Sequence, residues 1–377
     1  MFYFLFYGVK SCTFYVLAGK QRGNHEYISD DVCASILFLR RSCSIKKLIA
    51  LILSLVLCLS IMAPALADQA APSVAIVVAG TLGDRSFYDS ANAGRLRMEN
   101  ELGLTTTIIE CAEDASKYEN ALVTAAENYD IVVAVGWQFW DALAGNAATP
   151  GVPVDFPETK FLFIDNGLDG VGDNLMSIIY AQNQGSYLAG YIAGKMSTTG
   201  KIGVVGGQNS DTINDFIVGY EAGAQYANAD IVVERRYTEN YEDPALGKEA
   251  AIAMYDAGCD IVFAVAGKTG EGVFEAAAEK GKYAIGVDSD QKFINPDVII
   301  CSMVKDVGLS LFTTVSDLEN NFKGGQIWCA DMATGYIGVA YGTDDMPQQV
   351  SDELKAEVET LAQKIISGEI VVPSTLQ

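Results

Sequence analysis

Ser73-Val74-Ala75-Ile76-Val77-Val78-Ala79, followed after a short turn by Gly83-Asp84-Arg85-Ser86-Phe87-Tyr88-Asp89, decides the fold. The first segment is a short apolar run rich in β-branched residues and has no polar alternation, the pattern of a strand buried on both faces of a parallel sheet. The second would then sit at the carboxyl edge of that sheet, where α/β folds gather their ligands.

The rhythm continues outward from that strand. Ile131-Val132-Val133-Ala134-Val135, Phe161-Leu162-Phe163-Ile164, Ile202-Gly203-Val204-Val205, Ile261-Val262-Phe263-Ala264-Val265 and Ala284-Ile285-Gly286-Val287 read as further buried strands. Helical stretches lie between them, among them Lys117 to Asn128 and Gly247 to Ala257, the latter closed by Gly258. Alternating strands and helices imply parallel sheets with right-handed crossovers. From Gln184 to Met196, Gly185, Ala189-Gly190 and Ala193-Gly194 recur at helical spacing, which lets another backbone pack very close. The last helix, Ser351 to Ser367, opens on a Ser N-cap and aligns Leu354, Val358, Leu361 and Ile365 on one face.

The chain has 377 residues, half of them apolar, more than one hydrophobic core usually serves, so two lobes are expected. No Pro-rich linker divides it after the first strand. Two lobes without a linker imply a chain that crosses between them several times, which makes a hinge and a cleft. Residues 1–44 carry no interpretable fold pattern and read as an extension from a start site placed too far upstream. Residues 45–67 read as a secretory signal, with Lys46-Lys47 as basic flank, Leu48 to Met62 as apolar core and Ala65-Leu66-Ala67 as cleavage site. The mature chain is expected to begin near Asp68, exported to the extracytoplasmic face of a bacterial plasma membrane or the periplasm. Cys58 follows Leu57 rather than a small residue, against lipid attachment.

Beyond residue 67 there remain 18 basic and 45 acidic residues, a net charge of −27, which argues against nucleic acid or an anionic bilayer as a partner. The only histidine, His25, lies ahead of that point, so no His-dependent triad or His-ligated zinc is expected in the mature chain. Cys111, Cys259, Cys301 and Cys329 form no C-x-x-C pair, and no cofactor or metal is expected. Gly267-Lys268-Thr269 resembles the end of a phosphate loop, but Val262 stands where that motif needs glycine. Asp288 and Asp290 are adjacent loop carboxylates and give no sign of the opposed geometry of a glycosidase.

Five segments fall where strand ends meet the expected cleft. Asp84 is either a turn residue or a ligand acceptor, Ser86 a helix cap, and Phe87 either a staple onto the helix or a ring packed on a ligand. Gly136-Trp137-Gln138-Phe139-Trp140-Asp141 places three aromatics in one loop and helix start, to be shared between core and ligand. Asp165-Asn166 and Asp288-Ser289-Asp290-Gln291 end strands with short acceptors, suited to a turn, a cap or ligand hydroxyls. Lys305, a lone cation beside an apolar stretch, is more commonly a solvated residue.

Taken together and in order, these segments resemble the basic membrane protein family of substrate-binding proteins, receptors for ABC importers whose best-understood members take purine nucleosides. The resemblance runs from about Ser73 to Pro373 and is carried by Gly83-Asp84-Arg85-Ser86-Phe87, Phe163-Ile164-Asp165, Gly185 to Gly194, Gly203-Val204-Val205-Gly206-Gly207, Phe216 to Gly223, Gly267 to Val273, Gly286 to Gln291 and Ser302 to Asp306. It implies a type I periplasmic-binding-protein fold. Two doubly wound α/β lobes, 68–180 with 304–336 and 181–303 with 337–377, are joined by a three-crossover hinge. The implied function is capture of a purine nucleoside and its delivery to an ABC transporter permease, without catalysis. A simple sugar on the same fold is the alternative reading, and a nucleoside hydrolase a less favoured one. By motif, Phe87 stacks on the base, Asp84 and Asp165 meet its polar edge, and Asp288 with Lys305 holds the ribose as a hydrogen-bonding pair. Ser86 and Tyr88 adjoin the site, Tyr88 where members commonly carry Asn. The second ring falls to Phe216, Tyr241 or Trp137.

Overall fold

The computed structural model describes residues 71–376, so the signal segment and the extension before it lie outside the described residues. Among the described residues, twelve strands form two six-stranded sheets. The first contains β1 (Val74–Val78), β2 (Thr106–Glu110), β3 (Ile131–Val135), β4 (Lys160–Ile164), β5 (Leu175–Tyr180) and β11 (Ile327–Ala330), in the order β11-β5-β4-β3-β1-β2 and all parallel. The second contains β6 (Lys201–Gly206), β7 (Val232–Tyr237), β8 (Ile261–Val265), β9 (Tyr283–Asp288), β10 (Ile299–Lys305) and β12 (Ile337–Ala340), in the order β12-β10-β9-β8-β6-β7. Only β12 in that sheet runs antiparallel to its neighbour, Lys305 pairing with Ile337.

Every residue of β1, β3 and β8 is buried, as their unbroken apolar runs require when helices cover both faces. The sequence pattern names no strand at β2, β5, β7, β10, β11 or β12; of these, the edge strands β2 and β7 carry polar residues where a central strand carries apolar ones, Thr-Thr-Ile-Ile-Glu and Val-Val-Glu-Arg-Arg-Tyr.

The chain passes from the first sheet to the second after β5, back after β10, and across again after β11. The expected boundary at residue 304 falls inside β10, because pairing with β12 keeps that strand in the second sheet as far as Lys305.

Glycines set the helix contacts. A Cβ on Gly190 would lie 1.9 Å from the Tyr220 carbonyl oxygen, and one on Gly223 1.9 Å from that of Tyr187. The helix Gln182–Met196 and the helix Asp211–Ala227 therefore meet backbone to backbone. The helix Phe87–Leu102 and the helix Val307–Ser316 do the same, a Cβ on Gly94 falling 2.5 Å from the Gly308 carbonyl oxygen. This contact ties the segment after the second crossover onto the first lobe. The last helix, Asp352–Ile366, is capped by the Ser351 side chain and buries Val358, Leu361, Ala362 and Ile365.

Candidate functional site

The carboxyl ends of the two sheets face each other across a cleft that encloses about 620 Å³ of non-atom space, its open mouth included. Its lining takes Asp84, Phe87, Trp137 and Asp165 from the first lobe and Phe216, Tyr241 and Asp288 from the second, with Lys305 at the crossover. The backbone is strained here. Arg85, Glu113, Asp165 and Asp288, none of them glycine, hold φ of +51°, +55°, +75° and +62°. Left-handed conformations at such residues are costly, and they recur where a side chain must be aimed at a site.

Lys305 is the centre of the arrangement. It is 2 % exposed, a departure from the solvated residue that a lone lysine suggests. Its Nζ donates to Asp165 Oδ1 at 2.7 Å and lies 3.9 Å from Asp288 Oδ1. The direct partner of the ammonium is thus Asp165, with Asp288 next to it. The rings of Phe87, Phe216 and Tyr180 surround the same nitrogen at 4.8, 4.9 and 5.4 Å, offering their negative faces to the charge. Burial raises the carboxyls of both Asp165 and Asp288, and the Lys305 ammonium is the strongest cause opposing that rise.

Asp288 Oδ2 accepts from Ser86 Oγ at 2.6 Å, whereas its Oδ1 is buried and has no hydrogen-bond partner. A buried carboxylate oxygen left bare costs free energy unless a ligand donates to it. Ser86 was expected to cap the following helix. In the structure its hydroxyl turns to Asp288 instead, and Asp84 serves the helix. Asp84 Oδ1 accepts the amide N–H of Ser86 and of Asp89, both at 3.0 Å, and Oδ2 that of Tyr88 at 2.9 Å. Three amide donors and the helix dipole favour the carboxylate, yet burial dominates and pushes Asp84 up to about 7. Asp89 returns the favour by accepting from the amides of Gly83 and Arg85. Phe87, half-buried, packs edge-on to Tyr88 with ring centroids 5.4 Å apart.

The aromatics after β3 divide as their burial dictates. Phe139 is buried against Tyr118, Trp140 packs on Phe163, and Trp137 and Gln138 reach the cleft. Sequence reasoning missed Glu113 and Glu242. Tyr88 donates its hydroxyl to Glu113 Oε1 at 3.0 Å, and Thr81 donates its amide and hydroxyl to Glu242 at 3.2 and 2.9 Å. Neither glutamate ends an apolar run, and an acidic residue in a loop is ordinarily solvated, so no pattern marks them.

Several of these contacts join the two lobes directly: Ser86 to Asp288, Thr81 to Glu242, and Gln291 Nε2 to the Arg85 carbonyl at 3.1 Å. Cys111, Cys259 and Cys301 are buried, with burial raising each thiol. Among the described residues no cluster of three or more His, Cys, Asp or Glu is placed to hold a metal ion. None of their helices is long and apolar enough to cross a membrane.

Known proteins share this architecture and sequence. Basic membrane protein A of Borreliella burgdorferi is 35 % identical over 309 residues, covering 80 % of this chain and 88 % of that protein. The crystal structure of an ABC transporter system solute-binding protein from Aeropyrum pernix aligns with a TM-score of 0.70 and 29 % identity, covering 80 % of this chain and 94 % of that one. A second solute-binding protein, from Conexibacter woesei, shares the fold at a TM-score of 0.66 and 24 % identity, over 81 % of this chain and all of that one. Residues 71–375 match the family model described as ABC transporter substrate-binding protein PnrA-like. Two parallel-sheet lobes of the type I periplasmic-binding-protein fold, a polar and aromatic cleft between them, and a family match along nearly the whole described chain lead to one conclusion: the protein belongs to the basic membrane protein family of ABC transporter substrate-binding proteins.

Proposed function

We propose that the protein captures a purine nucleoside between its lobes at the extracytoplasmic face of the membrane and delivers it to the permease of an ABC importer, without chemical change. The observation that carries this reading is the bare Asp288 Oδ1, buried in the cleft beside Lys305. A carboxylate oxygen with a cation close by, in a site shielded from water, suits a hydroxyl group. Ribose supplies such hydroxyls. Phe87 from the first lobe and Phe216 from the second supply ring faces for the planar base, and Phe216 is favoured over Tyr241 and Trp137 because it flanks the same Lys305 nitrogen as Phe87. Trp137, Tyr241 and Tyr88 complete the wall.

Competition of adenosine, adenine and free ribose against one labelled nucleoside tests the reading. Adenosine is expected to compete strongly and ribose weakly, and Asp288→Ala to weaken adenosine far more than adenine. Ribose competing as well as adenosine would overturn it in favour of a sugar receptor.

A further inference from the structure

A second polar cluster, built from acceptors, stands apart from Lys305: Gln138 and Glu242 line the cleft, and Glu113 backs them through its hydrogen bonds with Gln138 and Tyr88. Glu113 comes from the first lobe, on the loop after β2, and Glu242 from the second, ahead of the helix Pro244–Asp256. Both carboxylates converge on Gly80, where an added Cβ would meet Glu242 Oε1 at 2.8 Å and Glu113 Oε1 at 3.0 Å. Gln138 joins them, its amide Nε2 donating to Glu113 Oε2 at 3.4 Å while its carbonyl Oε1 is buried with no donor.

The local backbone is arranged to put these oxygens there. Ala112 and Glu113 are consecutive left-handed residues, at φ +58° and +55°, held by hydrogen bonds from their amides to the carbonyls of Gly80 and Ala79 at 3.0 and 2.7 Å. Gly136, at φ +123°, makes room for the Gln138 carbonyl, since a Cβ there would lie 2.5 Å from Oε1. Strain of this kind persists only when surrounding contacts enforce it. The donors nearby, the Tyr88 hydroxyl and the amide and hydroxyl of Thr81, are already committed to the two glutamates. Of the lysines lining the cleft, Lys305 is engaged by Asp165. The buried Gln138 carbonyl and the remaining lone pairs of the glutamates therefore call for a donor from the ligand.

We propose that Gln138 and Glu242, with Glu113 orienting Gln138 from behind, read an amino donor on the ligand's planar ring, so that the cleft selects a purine nucleoside carrying an exocyclic amino group. The inference rests on the nucleoside reading above and narrows its substrate class. A purine that brings no donor leaves the buried Gln138 carbonyl unpaired beside the half-buried Glu242, and sites built to pair with a substrate N–H discriminate strongly against analogues lacking it.

The test is calorimetry with adenosine and with purine riboside, which differs only in lacking the amino group. Adenosine is expected to bind at least about tenfold more tightly, the order of one hydrogen bond to a charged acceptor. Glu242→Gln and Glu113→Gln are each expected to reduce that ratio severalfold. The second variant guards against the first simply loosening the bridge to Thr81, and melting curves of both report whether they fold. Equal affinities in the parent protein, or an unchanged ratio in both folded variants, would overturn the inference and leave the nucleoside reading standing. If neither nucleoside binds, both fall.

Discussion

Ser86 Oγ lies 2.6 Å from Asp288 Oδ2, although the two residues are 202 positions apart and belong to different lobes. The bond turns Asp288 so that its other oxygen is left bare beside Lys305. Ser86→Ala is expected to weaken nucleoside binding by roughly 1 kcal/mol, the net worth of an ordinary buried hydrogen bond, by freeing that carboxylate to rotate. Unchanged affinity by calorimetry would show that Asp288 is oriented by other contacts.

Phe87 is half-buried, lines the cleft and packs against the edge of the core. Phe87→Ala should cost roughly 1–3 kcal/mol of nucleoside affinity, the range for a stacked base, while circular dichroism stays native. Intact affinity with a sharply lowered melting temperature would make Phe87 a packing residue instead.

Lys305 holds two buried carboxylates together, so Lys305→Met removes the ammonium that lies within reach of both. Breaking a buried ion pair from one side costs roughly 3–5 kcal/mol, because it leaves uncompensated charge. The loss should shrink as pH falls, since Asp165 and Asp288 escape the penalty by taking up protons. Denaturant unfolding at neutral pH and near pH 4.5 measures this, and a deficit equal at both would contradict the charge argument.

Asp84 carries a pH signature of its own. Its carboxyl is pushed up to about 7 by burial, from an ordinary value of 3.8, so the folded state binds more protons than the unfolded between those limits. Stability contributed by this group therefore falls as pH rises from about 4 to 7 and is level above. The unfolding free energy of the parent protein relative to Asp84→Asn is expected to decline over that window. A difference independent of pH would mean that the three amide donors hold Asp84 ionised throughout.

Much of the fold is legible in the sequence because central parallel strands are buried on both faces and so read as unbroken apolar runs. Val74–Val78 and Ile131–Val135 are such strands. Edge strands such as Val232–Tyr237 escape that signal, since solvent on one side admits Glu234, Arg235 and Arg236. In the cleft, residues at the ends of apolar runs, such as Asp165 and Asp288, could be found from position alone. Their partners could not. That Lys305 would pair with Asp165 across 140 residues, or that Ser86 would leave its helix cap to Asp84, depends on how two sheets face each other. Glu113 and Glu242 were invisible for the same reason, each owing its place to a loop conformation rather than to a periodic pattern.

The central claim is that one ligand is held jointly by both lobes, with Asp165 and Phe87 on one side and Asp288 and Phe216 on the other. A ligand that touches both lobes favours the closed arrangement by its differential affinity for it, whereas a ligand confined to one lobe cannot. Small-angle X-ray scattering with and without saturating adenosine tests this most directly. A smaller radius of gyration on binding is the expected result, and an unchanged radius at saturation would contradict capture between the lobes.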